Sequence, residues 1–414
     1  MTKEANKIEQ LIAELCPEGV RFVELKKIAD ILNGFAFKSS KYTKNGIRII
    51  RISDVQKGKI SDKDLKFYPE DSKNEIKKYL LKENDLVMSL TGNVGRVAML
   101  SKNDLPAGLN QRVACIRVKD DFVLTRYLFH FFDQDSFEYE AMMNATGGGQ
   151  KNMSTIWLGK YKIPIPPLEV QKEIVRILDK FTALEAELEA ELEARKRQYE
   201  YYREQLLTFG DDEVEWKTID NISKKVSSGG TPKTGVSEYY NGDIPWLRTQ
   251  EVDFGEIWDT GVKITESGLK NSSAKWIPKN CVIVAMYGAT VGKIAINKIP
   301  ITTNQACANI QLDKNIANYR YVFHFLTSQY NYIKSLGTGS QTNINAQIVK
   351  NIKIPIPYKN GKPDLEKQKQ IVAVLDKFDA LVNSLSEGLP AEIDARRKQY
   401  EYYREKLLTF KEKK

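Results

Sequence analysis

Two histidines, His130 and His324, are the only imidazoles in 414 residues, and each stands in an aromatic run, YLFHFF or YVFHFL. That setting predicts buried scaffold residues rather than a general base. Gly288-Ala-Thr-Val-Gly292-Lys293 invites a phosphate-loop reading, but it is one residue short of G-x-x-x-x-G-K-[ST], and Ile294 stands where the hydroxyl should be. Its echo, Gly92-Asn-Val-Gly95-Arg96, makes both a strand-to-strand turn. Asp364 and Glu366 are too close in sequence for the separated carboxylates of a metal nuclease, and are expected to open a helix with negative charge. No glycine-rich methyl-donor loop occurs, nor an Asn-Pro-Pro-Tyr or Asp-Pro-Pro-Tyr tetrapeptide. Cys16, Cys115, Cys281 and Cys307 are scattered, which argues for reduced, buried thiols rather than a disulfide framework or a zinc site. The residues therefore predict no catalytic and no metal site.

Binding chemistry is better represented. The net charge is +9, a mild pointer to a polyanionic partner. Residues 33 to 60 hold seven Lys and Arg against Asp54 alone, interleaved with Phe35, Phe37 and Tyr42, and residues 263 to 300 hold six lysines against Glu266. Lysine and arginine supply salt-sensitive affinity for phosphate, while Asn, Gln, Arg and Thr on loops can read base edges. The DNA-binding candidates in the first half are Lys38, Lys41, Tyr42, Arg48, Arg51, Asn93, Arg96, Asn110, Gln111 and Gln150. In the second half they are Thr231, Lys233, Tyr240, Arg248, Thr249, Gln250, Lys293, Asn304, Gln305 and Gln341. Those shared by both halves, Asn110 with Asn304 and Gln111 with Gln305, lean toward a structural role, because a common residue cannot distinguish two targets.

The elements that must position these residues are written twice. QYEYYREQLLTF at Gln198–Phe209 returns as QYEYYREKLLTF at Gln399–Phe410, eleven of twelve positions identical at an offset of 201. LDKF at Leu178–Phe181 returns at Leu375–Phe378, and IPIP at Ile163–Pro166 returns at Ile354–Pro357. The 150 or so residues before each constant segment keep their apolar frame and turns and change most polar residues. From Pro167 onward, apolar residues at Ile174, Ile177, Leu178, Phe181, Leu184, Leu188 and Leu192 have the spacing of an amphipathic helix, on the order of 60 Å long. The second copy keeps that spacing through Leu385 and is expected to break or kink at Pro390. Two striped helices of similar sequence have a burial solution in packing antiparallel, with the domains at opposite ends about a pseudo-twofold axis. Arg195, Tyr199, Tyr202 and Arg203, repeated as Arg396, Tyr400, Tyr403 and Arg404, are the candidates for binding two copies of one partner.

GFAFKSSKY at Gly34–Tyr42, SGGTPKT at Ser228–Thr234 leading into DIPWLRTQEV, the NQ pairs, and above all LDKF with QYEYYRE-x-LLTF twice resemble the specificity (S) subunit of type I restriction-modification systems over essentially the whole chain. The resemblance implies a non-catalytic subunit of mixed α/β (α+β) class. It implies two target-recognition domains, residues 1–162 and 211–353, each reading half of an interrupted double-stranded DNA target. Residues 163–210 and 354–414 would be helical repeats that separate the domains and dock two methyltransferase (M) subunits. S-adenosylmethionine, ATP and magnesium are expected on the M and restriction (R) subunits and no cofactor on this chain. A cytoplasmic location is expected, as no apolar run is long enough for a membrane span. The rival reading is a helical adaptor with protein-binding ends. Within LEAELEAEL, Leu184–Leu192, each tetrad adds about 6 Å of helix, so this tract is expected to set the gap between half-sites.

Overall fold

The computed structural model describes residues 2–210, 213–337, 343–384 and 386–413. Its principal helices are α1 (Thr2–Leu15), α2 (Thr125–Phe132), α3 (Asp135–Asn144), α4 (Leu168–Leu207), α5 (Tyr319–Ser328), α6 (Leu365–Asn383) and α7 (Gly388–Leu408). The chain divides into two compact units that do not follow its linear order: residues 1–189 with 392–414 form one, residues 190–391 the other.

Unit 1 is built on an antiparallel sheet of β1 (Ala29–Asn33), β2 (Leu86–Ser89), β3 (Val97–Met99) and β4 (Val113–Val118), in the order β1-β4-β2-β3. Unit 2 repeats it with β5 (Ser223–Ser228), β6 (Glu256–Ile257), β7 (Val282–Ala285), β8 (Ile294–Asn297) and β9 (Cys307–Leu312), in the order β5-β9-β7-β8-β6. The strand runs are apolar on both faces because both faces are covered. In unit 1 Leu86, Met88, Ala114 and Ile116 join the large helical core, while Val87, Val113 and Cys115 face a second cluster with Ile50 and Leu109. Period-two alternation of the side chains divides them this way. A smaller sheet in each unit pairs its middle strand antiparallel on one side and parallel on the other: Ile47–Ile50 in unit 1 and Tyr240–Leu247 in unit 2. IPIP lies on a strand that closes each unit against its entering strand, Arg21–Glu24 or Val214–Thr218.

Forty residues rich in Leu, Glu and Ala, with no glycine or proline, carry α4 unbroken from Leu168 to Leu207. The second copy differs from expectation. It breaks before Gly388, not at Pro390: α6 ends at Asn383, Ser384 is extended, and Gly388 opens α7 at φ 81°. A Cβ on Gly388 would sit 2.5 Å from the Ala380 carbonyl oxygen, so the reversal requires glycine. Pro390 falls in the first turn of α7, where its missing N–H leaves no bond unmade. Leu385 lies outside the described residues.

Within unit 1, residues 168–189 of α4 run antiparallel to α7. Phe181 stacks on Tyr403 with ring centroids 5.6 Å apart, and Arg397 reaches back to Glu185 and Glu189, both at 2.5 Å. Unit 2 uses the other halves of the repeats: Tyr199 and Tyr202 of α4 stack on Phe378 of α6 at 6.1 and 5.5 Å. The aromatic helices α2 and α5 lie beneath. His130, fully buried, contacts Asp179 at 2.7 Å and the Tyr400 hydroxyl at 3.0 Å. His324, equally buried, contacts Asp376 at 2.6 Å and the Tyr199 hydroxyl at 3.4 Å. Both aspartates come from LDKF. Burial alone would raise the Asp179 carboxyl, but hydrogen bonds from His130 and Arg126 overcome it and hold it below the usual range; His324 and Arg320 do the same for Asp376. Desolvation lowers the His130 pKa and keeps the ring neutral, so Nε2–H donates to Asp179 and Nδ1 accepts from the Tyr400 hydroxyl, which burial keeps protonated.

The two anchors differ at one neighbour. Arg404, 3% exposed, pairs with Asp133, 7% exposed. At the equivalent place in unit 2, Thr327 replaces the aspartate, and Arg203 stacks on Tyr199 at 5.1 Å without an ion pair among the described residues. Desolvation pushes the Asp133 carboxyl up to about 6 against the pull of Arg404. Replacing Arg404 by Met is expected to cost about 3–5 kcal/mol at pH 7, because it strands a buried carboxylate; Arg203→Met should cost about 1 kcal/mol or less. The Arg404→Met penalty should shrink as pH falls toward 4, where Asp133 protonates in folded and unfolded chains alike. Urea unfolding of both variants across pH 4 to 8 checks the asymmetry, and equal penalties would refute it.

Candidate nucleic-acid interface

At one end of the unit 1 sheet, four loops are tied by main-chain bonds into one rim. The Gln111 amide donates to Phe35, Leu90 to Arg112, Gly92 to Lys151 and Met153 to Leu90, at 2.8 to 3.3 Å. Gly34 makes the closest approach: a Cβ there would lie 2.1 Å from the Asn110 carbonyl oxygen, and one on its counterpart Gly229 would lie 1.8 Å from that of Thr303. Glycine lets the first loop lie directly on the NQ turn in both units.

The rim sorts the candidates. Lys38, Asn93, Gln111 and Gln150 are exposed on it. Asn110 is spent on the turn, its Oδ1 accepting from the Arg112 amide at 3.2 Å, as Asn304 accepts from Ala306 at 3.1 Å. Arg48, Arg51, Lys41 and Arg96 are not free cations, contrary to expectation. Arg48 is 8% exposed and held by Asp62 at 2.8 Å and Asp104 at 2.9 Å. Arg51 is taken by Asp54 and Asp64, Lys41 approaches Glu75 at 3.9 Å, and Arg96 meets Glu138 and Gln56. Tyr42 packs against the cluster of Phe37, Ile47 and Tyr68. The sequence reading passed over Arg112 and Lys151, which are exposed on the rim and form no ion pair among the described residues. Their signal was adjacency: each directly follows a predicted glutamine.

In unit 2, Gly229-Gly230-Thr231 lies along the corresponding turn, with the Thr231 hydroxyl donating to Gln305 and Trp246 Nε1 donating to the Gly230 carbonyl at 2.9 Å. Lys233 is exposed beside it. Tyr240 donates to the Pro232 carbonyl at 2.7 Å. Arg248 folds back on Glu251 at 3.4 Å, and Gln250, with its amide oxygen turned toward Arg248, accepts from its guanidinium. The Thr249 carbonyl accepts from Thr290, and Lys293 pairs with Asp253 at 2.6 Å. Arg248, Gln250 and Lys293 are thus engaged with neighbouring loop residues, and Thr249 contributes its main chain. Gln341 lies outside the described residues. Lys275 and Trp276, missed in the sequence, are exposed just past Ser273-Ala274, which packs on Gly230.

The candidate partner residues on the helices are divided as well. Tyr199, Tyr400 and Arg404 are buried in their own units, so their repetition follows from the duplicated anchor. Arg195 and Arg396 lie along their helices, bonded to Glu191 and Glu392. Tyr202 is 40% exposed, and Tyr403 and Arg203 are half-buried. The repeated tyrosines that face outward most are Tyr201 and Tyr402, 59% and 61% exposed.

A duplicated mixed α/β frame with a polar rim on each copy defines a two-headed recognition protein. The family model described as the type I restriction modification DNA specificity domain matches twice, over residues 17–194 and 211–395, and the chain belongs to that family of specificity subunits. It is 39% identical over 309 residues to the specificity subunit of the Escherichia coli type I restriction enzyme EcoR124I/EcoR124II, covering 70% of this chain and 72% of that protein. Its fold matches the S subunit of a type I system from M. genitalium with a TM-score of 0.55 at 16% identity, over 94% of this chain and 96% of that one. A second solved chain, from work on type I complex assembly and conformational transition, matches with a TM-score of 0.58 at 16% identity over 94% and 97%.

The sorting predicts two kinds of variant. Lys38→Ala, Arg112→Ala and Lys151→Ala should leave urea unfolding unchanged, and each should lower the salt slope of duplex binding by about 0.9. Arg48→Ala should instead destabilise unit 1 by about 3–5 kcal/mol, because Asp104 loses its buried partner. Unchanged salt slopes, or a fully stable Arg48→Ala, would contradict the assignment.

Proposed function

We propose that each unit reads one half of an interrupted double-stranded DNA target through its rim, as the recognition component of a complex with two methyltransferase subunits and with restriction subunits. The observation that carries this is a constant frame with changed side chains at matching rim positions. Asn110-Gln111 and Asn304-Gln305 close the same turn, while Arg112 becomes Ala306, Asn93 becomes Ala289 and Ala36 becomes Thr231. Free lysines at Lys38 and Lys233 supply phosphate attraction common to both, and the changed positions supply the difference in bases read. Partner docking falls to the outward faces of the helices, at Tyr201, Tyr402, Tyr202 and Tyr403 with Arg195 and Arg396.

On this reading the chain is non-catalytic and cytoplasmic. S-adenosylmethionine, ATP and magnesium act on the partner subunits. Among the described residues no helix is long and apolar enough to cross a membrane.

Selection of bound duplexes from a random library, with this chain co-purified with its methyltransferase subunit, tests the reading. Two short conserved blocks at a fixed gap are expected, and exchanging residues 23–160 should change one block only. A complex that forms but enriches no sequence would mark the chain as a docking adaptor.

A further inference from the structure

At the end of the unit 2 sheet away from the rim, where β5 begins and β9 ends, a cavity of about 480 Å³ opens between the sheet, the start of α5 and the first turn of α6. Four lysines line it, Lys224, Lys279, Lys314 and Lys369, with Tyr319 and Gln311 between them, and no carboxylate is among its lining residues. The nearby acids leave that charge largely uncancelled. Asp313 turns back to accept from the Asn315 amide at 3.0 Å, and Glu366 reaches only Lys369, at 3.7 Å, with both side chains well exposed. Lys224, Lys279 and Lys314 form no ion pair among the described residues.

The duplication supplies an internal control. Matching bonds fix the equivalences: Lys119 N to Ile28 O answers Asp313 N to Ile222 O, and Leu124 N to Gln171 answers Asn318 N to Gln368. Asn84 and Asn280, at φ 66° and 65°, mark the same turn before the second sheet strand. On this frame Lys279 stands where unit 1 has Glu83, and Lys314 where it has Asp120. Lys224 sits in an irregularity between Ser223 and Lys225 that replaces the regular Asp30 pairing. Two acids in one unit are two lysines in the other, and Lys224 is a residue added in the irregularity, since Lys225 takes the pairing that Asp30 makes in unit 1. The filling differs too: Arg117 bonds Asp85 at 2.5 and 2.7 Å in unit 1, while Gln311 and Cys281 replace that pair in unit 2. The shorter glutamine leaves room for a ligand.

We infer that this lysine-lined cavity of unit 2 binds a phosphate-bearing ligand, separately from the base-reading rim. Three ammonium groups unpaired among the described residues, and a fourth only loosely paired with Glu366, around one opening favour an anion of two or more charges. The volume suits a polyphosphate or nucleotide, and Tyr319 with Leu312, Ala317 and Leu365 offers an apolar wall for a ring. The same chemistry could be met by a free polyphosphate or by the backbone of flanking DNA.

The test compares the full chain with a triple variant, Lys224→Asp, Lys279→Glu and Lys314→Asp, the last two of which restore the acids unit 1 carries on the same frame. Thermal unfolding of the variant confirms that it folds. Calorimetric titration with tripolyphosphate should show saturable binding that the variant weakens by about tenfold or more; that result supports the site with a free ligand. If tripolyphosphate does not bind but the salt slope of non-target duplex binding falls by nearly three in the variant, at about 0.9 per lost contact, the site is supported with DNA phosphate as its source. Tripolyphosphate binding of equal strength in both proteins would overturn the inference. So would loss of methyltransferase-subunit binding with neither phosphate readout changed, which would assign the lysines to an acidic protein surface.

Discussion

In each unit a half-exposed carboxylate holds one nitrogen of a fully buried imidazole whose other nitrogen meets a tyrosine hydroxyl, and the rest of the unit is arranged around that contact. Asp179, His130 and Tyr400 join three segments far apart in sequence, as do Asp376, His324 and Tyr199. A buried polar group without a partner costs free energy, so each chain of bonds must be made in full or not at all. Making it fixes the aromatic helix, the LDKF turn and the YEYY turn against one another. Because the YEYY segment in each unit comes from the other repeat, residues 392–414 return to unit 1 and residues 190–207 belong to unit 2.

The anchor leaves the far end of each sheet free to vary. There the loops are tied by main-chain bonds and by glycines that permit close approach, so side chains can change without moving the backbone. The structure spends many of its cations internally: Arg48, Arg51, Arg96 and Lys293 each meet a carboxylate. Among the described residues Arg112 and Lys151 stay free, each next to a glutamine on the unit 1 rim. This division between a fixed frame and a changeable edge suits a family in which one scaffold serves different DNA targets.

Much of this was legible in the sequence. The duplication, the long helix from Pro167, the glycine turns and the burial of both histidines follow from periodicity and from aromatic neighbours. The helix break was misplaced because proline was weighed above glycine: Pro390 is harmless in a first turn, and Gly388 makes the reversal. The fate of the charges was not legible. Arg48 meets Asp104 at a sequence separation of 56, and Arg404 meets Asp133 at one of 271. A local run of lysine and arginine therefore says nothing about which of them stay free. The repeated tyrosines misled in a similar way, since a buried anchor made twice preserves residues as strictly as a shared outer surface would.

The central claim is that two different rims ride on one repeated anchor. Hydrogen exchange on the chain in complex with its methyltransferase subunits, with and without target duplex, tests it most directly. The account predicts new protection at residues 33–38, 91–93, 110–112 and 146–151, and at 229–234 and 303–306, with the anchor helices unchanged on adding DNA. Protection confined to residues 168–207 and 388–408, with both rims exchanging freely, would contradict it.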